Sequence, residues 1–281
     1  MNIIYLISIV LAFAFMLFGI IFDGTTPNLG NLPGFFDPAS VLIVVGCTVA
    51  VVMASFPASM TKSMGKHFKI ILDTKKFDPM YYIDQLTELA QIARKNGLLA
   101  LEEKANEQTD PFFKQAIMLI VDANDPDRVR SILQNNIDCM SNRHEDVAAM
   151  YDRASSVAPA FGMVGTLVGL IKMLLNLDEA DMTSLGPSMG TALITTLYGC
   201  ILAHIIFGPI ASNLRGRDEE EVLCKEIVLE GVMSIQSGEN PKFLRERLLT
   251  FMNQKLQEDG EGAGAAEQGG KKGRGKKKKG E

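Results

Sequence analysis

The chain has 281 residues, with 28 Lys and Arg against 33 Asp and Glu and a formal net charge of -5. Only one of those charged side chains, Lys172, falls within four apolar stretches of roughly 20 residues, the length that crosses the hydrocarbon core of a bilayer. This segregation excludes a single soluble globule, a collagen-like chain, a disulfide-stapled scaffold and a wholly disordered polypeptide.

The first predicted span covers about residues 2–22, IIYLISIVLAFAFMLFGIIF, with no charge. It lacks a basic leading region and is too long for the core of a signal peptide. The second covers about 39–60, the third 157–175 and the fourth 188–210. Neither DGTTPNLGNLPGFFD, between the first two, nor NLDEADMTSLG, between the last two, holds a basic residue. Residues 61–156 carry thirteen Lys and Arg, and those after 211 carry fourteen. The positive-inside rule therefore predicts both termini and the central segment in the cytoplasm, with two short loops outside. Lys172, near the outer end of its span, can snorkel toward headgroups.

In the central segment, Asp78-Pro79, Asp110-Pro111 and Asp125-Pro126 each predict a helix start, with Asp as cap and Pro at the first helical position. Ile83, Leu86, Ala90 and Ala93 recur at helical spacing until Asn96-Gly97 closes the run. LLALEEKANEQ predicts a second helix. Phe112, Phe113, Ala116, Ile117, Leu119 and Ile120 mark the apolar side of a third, and Val129, Ile132, Leu133 and Ile137 that of a fourth. No Pro or Gly interrupts Ser141 to Ser156, so a helix is predicted to run into the third span. Residues 219–257 are helical in pattern, with a break at Gly238 and Pro241. The last stretch, EDGEGAGAAEQGGKKGRGKKKKGE, cannot bury a core; it reads as a solvated tail, or one whose Lys cluster holds anionic lipid.

The predicted fold is all-α, a polytopic membrane protein with four transmembrane helices and a helical cytoplasmic domain between the second and third. Its predicted parts are 1–60 and 155–212 for the paired spans, 61–154 for the cytoplasmic domain, 213–257 for C-terminal helices and 258–281 for the tail.

Soluble chemistry is sparse. Cys47, Cys139, Cys200 and Cys224 show no ligand spacing, and His67, His144 and His204 form no metal-binding set. Neither a phosphate loop nor a nucleophile triad can be drawn, so no cofactor, metal, nucleic acid or enzymatic activity is expected. The spans say more. Ala158, Gly162, Gly165 and Gly169 in the third, and Gly190, Ala192, Gly199 and Ala203 in the fourth, are small residues at spacings that let membrane helices approach closely. Thr166, Thr195 and Thr196 add hydroxyls at mid-depth, each either bonded back to its own helix or part of a shared polar path. The spans contain no Asp or Glu. An ion relay in hydrocarbon needs an ionisable group, so a carboxylate would have to come from another polypeptide.

The strings APAFGMVGTLVGL, GPSMGTALITTLYG, the GPIA around Pro209 and ARKNGLLALEE stand within the four-span layout, from the N-terminus to about Leu256. Together they resemble the MotA/PomA family of flagellar stator subunits, with the ExbB/TolQ energisers as more distant kin. The resemblance implies a non-enzymatic motor subunit of the bacterial inner membrane that couples proton or sodium flow to torque on the rotor protein FliG. It further implies a homo-oligomeric, pentameric ring around a MotB-like dimer that supplies the membrane Asp. By position, Thr166 and Thr196, with Thr195 beside them, match the lining of the ion path. Pro159 and Pro209 match prolines linked to torque, and Phe161 and Tyr198 fall at the subunit seam. Arg94 and Glu102, with neighbours Lys95 and Glu103, match the charged pair that meets FliG; without the resemblance all four read as solvated helix surface. Met189-Gly190-Thr191 departs from the Met-Ala-Val/Ile common in relatives. The rival readings are an ExbB/TolQ-like energiser of envelope transport, which the loop placement and Arg94/Glu102 disfavour, and a non-conducting membrane scaffold.

Overall fold

The structure, a computed structural model, describes residues 3–22, 29–62, 77–175 and 185–252. The Lys-rich tail, the first part of the first predicted external loop and most of the second lie outside them. Among the described residues no strand forms, and the predicted all-α class is borne out. The chain divides into two compact units, residues 1–76 with 143–217 and residues 77–142 with 218–281.

Helix α1 (Ile3–Ile21) carries no charged residue along its 19 positions. Before α2 (38–55), Asp37 accepts the N–H groups of Ala39 and Ser40, and Pro38 takes the first position, where its missing donor is not needed. Helix α2 passes through a π-helical stretch, Leu42–Gly46, and resumes as Cys47–Ser55. Asp78 caps α3 (Pro79–Asn96), which ends at Gly97 with φ of 83°, a left-handed value that glycine adopts without strain. A short 3-10 turn leads into α4 (Leu101–Glu107), and Asp110 caps α5 (Pro111–Val121) through the Phe112 N–H at 2.9 Å.

Helix α6 (Pro126–Leu175) runs 50 residues without a break, so the fourth predicted helix, the Ser141–Ser156 stretch and the third span are one element. Helix α7 (185–236) comprises Leu185–Ile201, a π-helical stretch Leu202–Phe207 and Gly208–Gln236. Asn240 caps α8 (Pro241–Leu249). Among the described residues, three helices are long and apolar enough to cross a membrane, within Leu32–Ser55, Pro126–Leu175 and Gly186–Gln236. The apolar run of α1 is shorter, Ile7–Ile21.

The unit built on α3, α4, α5 and α8 holds a conventional apolar core. Leu86, Phe113, Ile117, Leu133, Ile227 and Leu244 are fully enclosed in it. Its polar links sit at the margin: Tyr82 donates to the same Asp110 carboxylate that caps α5, and Glu230 lies between Arg130 and Arg247. Burial first, and Asp110 second, hold the Tyr82 phenol above its ordinary range. At one point the core leaves no space at all. A Cβ on Gly231 would run into the Leu86 side chain, whereas one on Gly216 would meet nothing.

These two glycines predict opposite effects. Gly231→Val should overpack the core and cost about 1–3 kcal/mol. Gly216→Ala should gain about 0.5–1 kcal/mol by stiffening an open helical position. Circular dichroism melts of the detergent-purified protein should rank Gly231→Val below the parent and Gly216→Ala above it.

Candidate functional site

Within the other unit, α6 and α7 lie antiparallel and nearly backbone to backbone. A Cβ on Gly169 would stand 2.7 Å from Ala192 Cβ and 2.8 Å from the Ser188 carbonyl. On Gly162 it would stand 3.1 Å from the Thr195 carbonyl, and on Gly199 2.8 Å from the Ala158 carbonyl. A side chain does not fit at Gly169 or Gly199 without a shift of backbone, and at Gly162 it would be tight. Gly190, singled out with them in the sequence, meets nothing within 4 Å and takes no part in the seam.

The three threonines separate. Thr195 is fully buried, fills the notch left by Gly165, and donates to the Thr191 and Ala192 carbonyls of its own helix at 3.1 and 2.9 Å. Thr166 is half-buried and donates back to the Met163 carbonyl at 2.6 Å. Thr196, also half-buried, reaches across to the Gly162 carbonyl at a long 3.5 Å. Thr195 therefore presents no hydroxyl to the surface of the pair, while Thr166 and Thr196 keep an exposed side.

Both prolines lie inside continuous helix. Pro159 is enclosed by α6, with its Cα 3.1 Å from where a Cβ on Gly199 would be; Pro209 follows the π-helical stretch of α7 by two residues. A proline ring cannot donate to the carbonyl four residues back, so Ser155 and Ile205 each lose their usual helical donor. Phe161 is half-buried on α6. Tyr198 is tied within its own chain: its hydroxyl donates to the Phe35 carbonyl at 2.6 Å and accepts from the Asp37 N–H at 3.4 Å. Ser40, on the first turn of α2, donates to Asp37. The Asp-Pro pair at 37–38, of the same type as the three caps noted in the central segment, was the available signal for this anchor.

In the unit built on α3, α4, α5 and α8, Arg94 and Lys95 are exposed in the last turn of α3, and Glu102 and Glu103 in the first turn of α4. Among the described residues none of the four makes an ion pair. The structure does not gather them into one cluster. Arg94 and Lys95 line a groove of about 560 Å³ with Lys242 and Arg245 of α8. Glu102 and Glu103 line another, of about 660 Å³, with Asn96, Leu99 and Asn106. Sequence reasoning missed Lys242 and Arg245, for nothing in a linear string brings residues some 150 positions apart together. Cys224 is buried, and burial pushes its thiol up to about 12, which leaves it an uncharged packing residue at neutral pH. Among the described residues, no group of His, Cys, Asp and Glu is placed to hold a metal ion.

Residues 104–227, which include the α6–α7 seam, match the MotA/TolQ/ExbB proton channel family, and residues 11–97 match the motility protein A N-terminal family. The chain belongs to the MotA/TolQ/ExbB proton channel family. It is 40% identical over 221 residues to motility protein A of Borreliella burgdorferi, covering 79% of this chain and 84% of that protein. Against chemotaxis protein PomA of Vibrio alginolyticus the identity is 37%, over 90% of this chain and 96% of the relative. A chain of the flagellar MotAB stator complex from Bacillus subtilis superposes with a TM-score of 0.82 at 29% identity, covering 90% of this chain and 97% of that one. The resemblance read from the sequence motifs is borne out.

The seam gives its own test. Gly199→Val should force α6 and α7 apart and destabilise the detergent-purified protein by about 1–3 kcal/mol. Gly19→Val, on α1 where a Cβ meets nothing, should leave the melting point unchanged within a degree or so in the same measurement.

Proposed function

We propose that this chain is a flagellar stator subunit that, with a MotB-like partner in the bacterial inner membrane, turns proton or sodium flow into torque on FliG. The observation that carries the reading is the α6–α7 seam: a tight, hydroxyl-edged helix pair in spans that hold no carboxylate of their own. An ion crossing hydrocarbon needs an ionisable side chain, and a partner's Asp laid against this pair would supply it. The MotAB complexes solved for relatives support such a partner. The ion is cargo, and neither a cofactor nor an enzymatic step is assigned.

Thr166 and Thr196 line the path beside that Asp; Thr195 spaces the two helices. When an ion neutralises the Asp, a charge leaves the seam and the preferred packing of α6 and α7 changes. Pro159 and Pro209, where the backbone ladders are already broken, are where the pair yields. About 2.3 kcal/mol per charge is available for each 100 mV of membrane potential. Copies form a pentameric ring around a partner dimer, with Phe161 and Tyr198 near the seam between copies. Helix α1 crosses the membrane as well, which brings the spans to four, and the Lys and Arg distribution favours both termini and the α3–α5 unit in the cytoplasm. There the basic groove of Arg94, Lys95, Lys242 and Arg245 draws acidic rotor side chains, and the Glu102/Glu103 groove draws basic ones. Exposed charge pairs are individually weak and screened by salt, which suits repeated capture and release.

Expression with its partner should restore swimming to a strain lacking its stator genes. Thr196→Val should bring ring expansion in soft agar to background. Thr195→Val should keep more than about half of it, because a hydroxyl satisfied within its own helix can be replaced by a like-shaped apolar group at little cost. Arg94→Glu should weaken swimming and become less harmful at higher ionic strength. Equal swimming by Thr196→Val, Arg94→Glu and the parent, at equal protein level, would leave only the scaffold reading.

A further inference from the structure

Near the two prolines lies a polar link that the proposed ion path does not use. Ser155 Oγ on α6 donates to the Ala203 carbonyl on α7 at 3.0 Å. A serine or threonine hydroxyl in an apolar helix ordinarily bonds back to its own backbone, as Thr166 and Thr195 do here. Ser155 instead bonds to the neighbouring helix.

Both ends of this bond sit where the helical ladder is altered. Ala203 lies in the π-helical stretch, and its carbonyl takes the Gly208 N–H five residues on rather than the N–H four residues on. Pro209 follows at once. On the other helix, Pro159 leaves the Ser155 carbonyl without its usual donor. Gly208 closes the joint, since a Cβ there would stand 3.0 Å from the Ala203 carbonyl and 3.7 Å from Ser155 Oγ.

The bond also lies between two firmer contacts of the same helix pair. On one side the glycine seam begins, with Gly199 against Ala158. On the other, Arg215 of α7 holds Glu145 and Asp152 of α6, reaching Glu145 Oε2 at 2.9 Å. On the stator reading, a change of packing at the glycine seam reaches the Arg215 clamp only through the level at which Ser155 joins the helices.

We infer that Ser155 is a positioning residue for the torque step, a latch that fixes α6 against α7 between the levels of Pro159 and Pro209. The inference rests on the stator reading above. The latch touches neither ion nor rotor. It sets which of two packings the loosened backbone adopts, and losing one hydrogen bond of this kind shifts such a balance by about two- to tenfold.

The test uses the full chain, co-expressed with its partner in a strain lacking its stator genes. It reads the torque contributed by each recruited unit, from stepwise speed increments of a bead on a flagellar stub. Protein level and co-purified partner are measured alongside. Ser155→Ala is expected to lower torque per unit by about two-fold or more with assembly unchanged, and Ser155→Thr, which keeps a hydroxyl, to restore it. Gly208→Ala, which presses on the same carbonyl from the α7 side, is expected to lower it as well. Parental torque in Ser155→Ala overturns the latch, and so does a Ser155→Thr variant as weak as Ser155→Ala. Should Ser155→Ala not accumulate, parental torque in Gly208→Ala overturns it. A parent chain that drives no rotation at all removes the stator reading itself, an outcome distinct from a working motor indifferent to Ser155.

Discussion

Helices surrounded by lipid gain little from burying one apolar face against another, because the chains of the bilayer are as apolar as leucine. What holds α6 to α7 must therefore be short-range contact, and short-range contact requires removing side chains from the interface. Gly162, Gly165, Gly169 and Gly199 do this, each at a point where a Cβ would strike backbone or a short side chain. Leu167, Leu174 and Met163 on the same stretch of α6 are exposed in the single chain, more than half of each side chain uncovered. One helix thus has a bare face for close backbone contact and a bulky face for lipid or neighbouring copies.

That division explains why identical residue types do different things. Thr195 and Thr196 are adjacent, yet one residue of helical rotation puts the first into the Gly165 notch and leaves the second at the edge of the pair. The hydroxyl of Thr195 is spent on its own backbone, so its contribution is shape. Thr196 has only a long contact and remains available to a further ligand. On the stator reading, an ion path needs the second kind and a stable wall needs the first. The same logic separates Gly190 from Gly199, equal in a motif search and opposite in their surroundings.

The sequence made the caps and spans legible because their physics is local. Asp-Pro declares a helix start within two residues, and absence of charge over one bilayer thickness declares a span. Pro159 lies inside the helix that the sequence predicts to run into the third span, and α6 passes through it without interruption. The neighbouring α7 backbone, admitted by Gly199, packs against this level and supplies context that no local rule contains. The π-helical stretches in α2 and α7 carry no residue signature at all. The basic groove was invisible for another reason: Arg94 and Lys242 come to line one groove only after the apolar core has brought α8 alongside α3.

Magnitudes decide which of these contacts could move in each cycle. One ion crossing 100 mV releases about 2.3 kcal/mol. An exposed charge pair is worth about 0–1 kcal/mol, and a single hydrogen bond such as Ser155 to Ala203 about 0.5–1.5 kcal/mol. Either can be remade with the energy of a single ion. Prising apart a close-packed glycine interface involves many contacts of about 0.1–0.2 kcal/mol each, together with cavities that nothing fills. The close contacts, such as Ala158 against Gly199, are therefore the costliest part of the pair to open. On the stator reading, a change of packing is cheapest where the backbone ladder is already incomplete and at the exposed charges that let go easily.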